Sequence, residues 1–136
     1  MNNLAERLEH AGQSKLALLG IPFDANSSFL QGAAQAPPVI RQAFHSDAAN
    51  SWAEAGIDIG TRATLCDAGD LEFTSPATAF AEIEAAVAQL LDHKLAPILL
   101  GGDHSITYPI LKAFRKKYPR LNILHFDAHR DLYDEL

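Results

Sequence analysis

Apolar residues along the chain form continuous runs that alternate with stripes at helical spacing. Three continuous runs, at residues 16–21, 97–100 and 121–126, predict strands that are buried on both faces. Apolar side chains recur every three or four residues over 80–91 and 106–114, which predicts amphipathic helices. Strands that alternate with helices in this way are typical of a parallel sheet with helices on both faces, so we expect an α/β fold.

Shorter segments fill the spaces between these elements. Residues 4–11 carry apolar positions at helical spacing, so a short helix is expected near the start. A proline pair at 37–38 predicts the first turn of a second helix, where the missing N–H of proline is tolerated. Residues 64–67 predict a short strand followed by a turn. The Ser-Pro pair at 75–76 predicts the cap and first residue of the third helix.

Composition limits the classes of partner. At 136 residues and 48% hydrophobic content, the chain is expected to form one globular core. A formal net charge of −6 argues against nucleic acid or an anionic membrane surface, because both attract clustered lysine and arginine, and it is compatible with a cationic substrate. No apolar stretch approaches the length of a membrane span. The single cysteine excludes a disulfide within the chain and favours a reducing, cytoplasmic location.

Candidate metal ligands follow the last apolar run. Asp127, His129 and Asp131 are spaced at i, i+2 and i+4, so in an extended chain their side chains point to the same face, whereas Arg130 points away. Along a strand, Asp127 and His129 would lie about 6 to 7 Å apart. Carboxylates and an imidazole that share one face suit a divalent metal ion or a close pair of ions.

A second polar group follows the strand predicted at 97–100. The glycine pair at 101–102 allows the backbone to turn tightly, and His104 is the candidate ligand. Asp103 is better explained as a residue that orients its neighbours than as a ligand. His125 lies within the last predicted strand, where it is expected to be a buried or supporting histidine.

The two motifs, Gly-Gly-Asp-His-Ser at 101–105 and Asp-Ala-His-Arg-Asp at 127–131, resemble in sequence and order those of the ureohydrolase family. This family includes arginase, agmatinase and formimidoylglutamase. The segment Gly-Ile-Pro-Phe-Asp at 20–24 is similar to an early agmatinase pattern. The resemblance implies a three-layer α/β/α fold with a parallel sheet. Residues 1–136 would be the N-terminal part of a single ureohydrolase domain and would supply its first four strands.

The resemblance also implies a site with two Mn²⁺ ions, where a guanidino compound is hydrolysed and urea is released. By motif, His104, Asp127, His129 and Asp131 would be metal ligands. Asp127 would bridge the two ions, which makes it the candidate catalytic residue. A third family motif with two further aspartates is not found in the 136 residues, so this chain by itself is expected to be inactive. The complete protein is expected to be a homo-oligomer.

Residues 102–109 and 131–135 favour agmatine over arginine as the small cationic substrate. Other specificities remain open, namely arginase, guanidinobutyrase and formimidoylglutamase. Metallophosphatases place Asp-x-His before a Gly-Asn-His motif, and metal-dependent deacetylases lack Gly-Gly-Asp-His upstream, so neither class fits. The remaining alternative is a truncated, non-catalytic fragment that binds metal.

Overall fold

The structure, a computed structural model, describes residues 4–59 and 65–129. None of the helices in these two ranges is long and apolar enough to cross a membrane. Short 3₁₀ turns at Ala33–Gln35 and His104–Ile106 precede the second and fourth helices. The α-helices are α1 (Leu4–Glu9), α2 (Ala36–Phe44), α3 (Ala79–Asp92) and α4 (Thr107–Lys117), and the strands are β1 (Leu16–Gly20), β2 (Trp52–Ala53), β3 (Ile57–Asp58), β4 (Leu65–Asp70) and β5 (Ala96–Leu100).

Three of the strands form a parallel sheet in the order β4-β1-β5. These are the strands predicted at 16–21, 64–67 and 97–100, the second of them longer than expected. The strands β2 and β3 form a separate antiparallel hairpin. Because parallel strands run in one direction, the loops that follow β1, β4 and β5 all emerge at the same edge of the sheet.

Helices cover both faces of the parallel sheet. Ala17 and Leu19 of β1 pack with Leu90 of α3 in a buried cluster that also includes α1. Gly20 faces the opposite way, and a Cβ placed on it would lie 2.9 Å from the side chain of Pro37 in α2. The three-layer α/β/α fold expected from the sequence is therefore confirmed.

The helix α4 packs against α3 on the side of the sheet away from α2. Ile83 of α3 and Ala113 of α4 belong to a second buried cluster, in agreement with the helical spacing of apolar residues over 80–91 and 106–114. At the surface, Lys112 Nζ lies 3.0 Å from Glu84 Oε2, and Lys116 pairs with the same carboxylate. These contacts fix the position of α4 and of the 3₁₀ turn before it.

The predicted start of the third helix was wrong by about one turn. The helix begins at Ala79 with Thr78 as its N-cap, whereas Ser75 accepts a hydrogen bond from the Thr78 N–H at 3.2 Å in the preceding turn. Glu82 reaches back and accepts a hydrogen bond from the Thr74 N–H at 3.2 Å. The Glu82 carboxylate, four residues after the cap, thus satisfies the N–H of Thr74, while Ser75 Oγ accepts the Thr78 N–H at 3.3 Å in the turn before the helix.

The fourth predicted strand is not formed. Residues 121–127 have no regular secondary structure, and Ile123, Leu124 and Phe126 are 63%, 81% and 88% exposed. A strand needs a neighbouring backbone for its hydrogen bonds, and within the described residues the outer edge of β5 does not pair with this segment. The apolar composition of 121–126 predicted a buried strand, but in the described structure this segment is irregular and exposed.

Candidate metal centre

The candidate ligands gather at the edge of the sheet where the parallel strands end. The 3₁₀ turn that contains His104 follows β5 directly. Residues 121–129 return to the same place after α4, although they arrive as an irregular segment. This edge is where open parallel sheets generally bind their ligands.

The loops after β1 and β5 are held together by close backbone contact. The Asp103 N–H donates to the carbonyl oxygen of Phe23 at 2.8 Å. A Cβ on Gly102 would lie 1.8 Å from that oxygen, so no side chain can be accommodated there. A Cβ on Gly101 would meet only the flexible end of Ile106, at 2.7 Å. Gly102 is therefore required because the backbone of Phe23 is so close, whereas the sequence had suggested only a tight turn.

Asp103 orients its neighbours, as expected. Its Oδ1 accepts the Ser105 N–H at 2.9 Å and its Oδ2 accepts the Asn26 N–H at 3.0 Å. The Asn26 side-chain amide in turn donates to Ser105 Oγ at 3.2 Å. The carboxylate therefore caps the 3₁₀ turn that carries His104 and ties it to the loop after β1.

Asp24 closes the loop after β1. Its Oδ2 accepts the backbone N–H groups of Gly32 and Ala34 at 2.6 and 3.1 Å. These hydrogen bonds, the Gly32 one first, lower the pKa of Asp24 below its ordinary value of 3.8, against a small opposing effect of burial. The closed loop and residues 103–105 surround a cavity of about 380 Å³, which His104 lines.

His104 lies beside a second histidine. The rings of His104 and His125 stack with centroids 5.3 Å apart and an interplanar angle of 20°. The Oγ1 of Thr107 lies 3.2 Å from Nδ1 of His104, which fixes the orientation of that ring. His104, His125 and Asp127 each present a ligand atom, and these three atoms all lie within 4.8 Å of one another.

Asp127 lies between two imidazoles. Its Oδ2 is 3.6 Å from Nε2 of His125 and its Oδ1 is 3.5 Å from Nδ1 of His129. The backbone N–H of His129 donates to Oδ1 at 2.9 Å and is the largest cause that lowers the pKa of Asp127 below 3.8. Burial opposes this, and the nearby imidazoles lower the pKa further. Asp127 is therefore an ionised, electron-pair-donating carboxylate at neutral pH.

Of the four predicted ligands, the structure places His104 near Asp127, and His129 beside Asp127. Asp131 lies outside the described residues, as does Arg130. Of the two roles expected for His125, burial was wrong, because the residue is exposed and its ring contacts His104, whereas a supporting role stays a prediction. Since 121–126 does not enter the sheet, none of the strands in the described ranges covers this side chain. Its position two residues before Asp127, on the same face of an extended chain, was the signal that could have identified it.

Two other carboxylates, Asp67 and Asp70, pair with an arginine. The guanidinium of Arg41 donates to Asp67 Oδ2 at 2.9 Å and to the Gly69 carbonyl at 2.9 Å, and it pairs with Asp70. Burial lowers the pKa of Arg41, but the hydrogen bonds to the two carboxylates outweigh it and raise that pKa. This group fastens α2 to β4 at a distance from the histidines.

Comparison with known proteins identifies the relatives of this chain. The arginase family model matches residues 14–136. Mitochondrial arginase 1 of Oryza sativa subsp. indica is 39% identical over 141 residues, covering 96% of this chain and 42% of that protein. Agmatinase of Halalkalibacterium halodurans is 35% identical over 126 residues, covering 90% of this chain and 43% of that protein.

The fold agrees with these relatives. A solved arginase from Medicago truncatula superposes with a TM-score of 0.86 at 33% identity, covering 97% of this chain and 47% of that one. This chain thus spans less than half the length of the proteins it matches. The part matched by the family model, residues 14–136, includes both His104 and Asp127.

Proposed function

Because this chain belongs to the arginase family, the ureohydrolases, we propose that a form of the protein as long as its relatives hydrolyses a guanidino compound and releases urea. One observation carries this proposal. Ligand atoms of His104 and Asp127, residues 23 positions apart in the sequence, lie within 4.8 Å of each other at the ends of the parallel strands.

We assign two Mn²⁺ ions to this site, held by His104, Asp127, His129 and Asp131. The support is the donor set, which offers carboxylate oxygens and imidazoles without a thiolate and is suited to Mn²⁺ among several divalent ions. The described part of this set is already close together, with His129 Nδ1 3.5 Å from Asp127 Oδ1. Asp127 is ionised, as a bridging ligand must be.

The chemistry requires a strong nucleophile, because the carbon of a guanidinium group is stabilised by resonance. A pair of divalent ions, when bound, supplies one by lowering the pKa of water. The residues of this chain position the substrate. Residues 26–30 and 103–105 line an open pocket of about 380 Å³ beside His104, and this volume is near the lower end of the usual range for small-molecule sites. Such a volume suits a small guanidino compound.

Agmatine is our proposed substrate, on the similarity of residues 102–109 and 131–135 to agmatinases. A dication of this kind also suits a chain with a formal charge of −6. Arginine is the second candidate, because the rice arginase is 39% identical and the agmatinase 35%. The two compounds differ at the end remote from the guanidinium, where only arginine carries a carboxylate.

The decisive experiment measures urea release from agmatine, arginine and 4-guanidinobutyrate by a form that spans the length of its relatives. We expect activity with at least one compound, its loss on exhaustive chelation and its return with Mn²⁺. Asp127→Asn should abolish turnover, whereas His45→Ala, which removes an exposed imidazole near the end of α2, should not. Undiminished activity after chelation, or no turnover of any of the three compounds, would overturn the proposal.

We further propose that the protein is cytoplasmic and forms a homo-oligomer. The single cysteine is compatible with the reducing cytoplasm, and family resemblance supports a homo-oligomer. Cell fractionation and sedimentation of the longer form test these two points. Recovery of the protein in an oxidising compartment, or as a monomer, would contradict them.

A further inference from the structure

We propose that the 136-residue chain binds one divalent transition-metal ion through His104, His125 and Asp127. His125 is not among the ligands that family resemblance assigns, so this site differs from the two-ion site proposed above. The inference does not depend on hydrolysis of a guanidino compound. It concerns only side chains that the structure describes.

The three ligand atoms are close enough to converge on one ion. They lie within 4.8 Å of one another, whereas ligands about 2.1 Å from a tetrahedral ion are roughly 3.4 Å apart. The required closure of about 1 Å is available, because residues 121–127 form no strand and no sheet hydrogen bonds must break. Two of the three ligands, His125 and Asp127, belong to this irregular segment.

His104 is already oriented for this role. It lies in a 3₁₀ turn that Asp103 caps, and Thr107 Oγ1 is 3.2 Å from its Nδ1. A hydrogen-bonding partner on one ring nitrogen is the usual means by which proteins fix a histidine ligand. The more rigid turn therefore supplies one fixed ligand, toward which the irregular segment can move.

His125 is better placed than His129 to join it. The ring of His125 stacks on that of His104, and its Nε2 is 3.6 Å from Oδ2 of Asp127. His129 instead contacts the other oxygen, Oδ1, which also accepts its own backbone N–H, and its side chain is 78% exposed. The two oxygens of Asp127 thus face different imidazoles, and Oδ2 is on the side of the stacked pair.

The donor set indicates which ions bind best. Two imidazoles and one carboxylate are the protein ligands of several catalytic zinc sites, which keep a further position open. For nitrogen and oxygen ligands, affinity generally rises from Mn²⁺ through Co²⁺, and Zn²⁺ readily takes a tetrahedral set of imidazole and carboxylate ligands. The three-residue site should therefore prefer Zn²⁺ and Co²⁺ to Mn²⁺.

The test is a titration of the purified 136-residue chain with Co²⁺, Zn²⁺ and Mn²⁺ at neutral pH. Visible absorption reports Co²⁺ coordination, and competition gives the affinities of the other ions. We expect one ion per chain and weaker binding of Mn²⁺. His125→Ala should lower Co²⁺ affinity by more than about tenfold, the least that loss of even an outer-sphere partner usually causes. The control variant His93→Ala, which removes an exposed imidazole at the end of α3, should change it by less than about twofold.

Several results would overturn this assignment. They are loss of affinity in His129→Ala with none in His125→Ala, two ions per chain, tighter binding of Mn²⁺ than of Co²⁺, or no binding of Co²⁺ at millimolar concentration. Circular dichroism checks that each variant is folded. Should His125→Ala unfold, NMR of the wild-type chain decides, because bound Co²⁺ must shift or broaden the imidazole resonances of His104 and His125 more strongly than those of His129.

Discussion

Asp24 and Asp103 show how single carboxylates position loops around the candidate site without being ligands. Each accepts backbone N–H groups, Asp24 within its own loop and Asp103 across two loops. Backbone N–H groups at turns must find acceptors when water is displaced, and a carboxylate can accept several at once. The two residues therefore connect the end of β1 to the turn that carries His104.

The lowered pKa of Asp24 predicts a pH-dependent contribution to stability. A group whose pKa is lower in the folded state stabilises the fold above its unfolded pKa, here close to 3.8, and this stabilisation is lost as pH falls through the folded pKa. The free energy of unfolding of wild type should exceed that of Asp24→Asn at neutral pH, and the difference should shrink below about pH 4.

Denaturant unfolding of both proteins at several pH values measures this difference, and NMR titration of the Asp24 carboxyl gives its pKa. Asp92→Asn is a suitable control, because that exposed carboxylate accepts no backbone N–H in the described hydrogen bonds. A titration midpoint at or above 3.8, or a difference in stability that persists unchanged at low pH, would show that the Gly32 and Ala34 hydrogen bonds are not formed in solution.

The residues of the candidate site were predictable only in part. His104 and Asp127 stand in motifs whose spacing and order indicated metal ligands, and the structure places them together. His125 was expected to be a buried or supporting histidine because the apolar residues around it predicted a buried strand. Local sequence cannot show whether a neighbouring strand is present, and this decided whether His125 was covered or exposed.

Among the predicted strands, the presence or absence of a neighbouring strand likewise separates the correct predictions from the incorrect one. The runs that became β1 and β5 pair with each other in register over five residues, so their apolar pattern and their hydrogen bonds agree. The run at 121–126 has an equally apolar pattern but no such partner among the described residues. The start of α3 was missed for another reason, since Ser75 and Thr78 are both residue types that suit a cap, and residues 76–78 form a turn before the helix begins at Ala79.

The contact between the loops after β1 and β5 predicts unequal effects of two neighbouring substitutions. Gly102→Ala would bring a methyl group within 1.8 Å of the Phe23 carbonyl oxygen, so the two loops must separate. We expect a loss of about 1 to 3 kcal/mol in the free energy of unfolding, as for other overpacked positions. Gly101→Ala meets only the end of the Ile106 side chain and should cost less.

Denaturant unfolding of the two variants measures this difference. Gly102→Ala should also weaken the Asp103 N–H bond to Phe23, which faster hydrogen exchange of that amide would report. Equal stabilities of the two alanine variants would contradict the proposed reason for glycine at position 102.

For the whole molecule, the sheet and its two helical layers could be predicted from the sequence. Continuous apolar runs indicate strands that are buried on both faces, and apolar residues at helical spacing indicate helices that are buried on one face, so both patterns can be recognised within a short segment. Whether an apolar strand or segment is then covered by another part of the structure cannot be recognised from a short segment. Large apolar side chains are exposed on β5 and on the segment after α4, including Ile98 at 44% and Phe126 at 88%. In the described sheet β5 is an edge strand with one unpaired side.

This exposed edge predicts that the 136-residue chain self-associates through β5. An unprotected strand edge offers backbone donors and acceptors to another copy, and an apolar side chain such as Ile98 adds buried surface to that contact. Natural edge strands are protected by lysine, whose charge must be desolvated before another strand can pair. Ile98→Lys should therefore shift the chain toward monomer in sedimentation velocity at a fixed concentration.

A matched substitution separates the edge from general surface effects. Trp52→Lys also removes an exposed apolar side chain, 63% exposed, but it lies in the β2–β3 hairpin outside the parallel sheet. Both substitutions move the formal charge of −6 one unit closer to neutrality, which by itself favours association rather than opposing it. We expect Ile98→Lys alone to raise the monomer fraction, with an unchanged circular dichroism spectrum. If Trp52→Lys dissociates the oligomers equally, or if wild type is already monomeric, then β5 is not the contact through which copies of this chain associate.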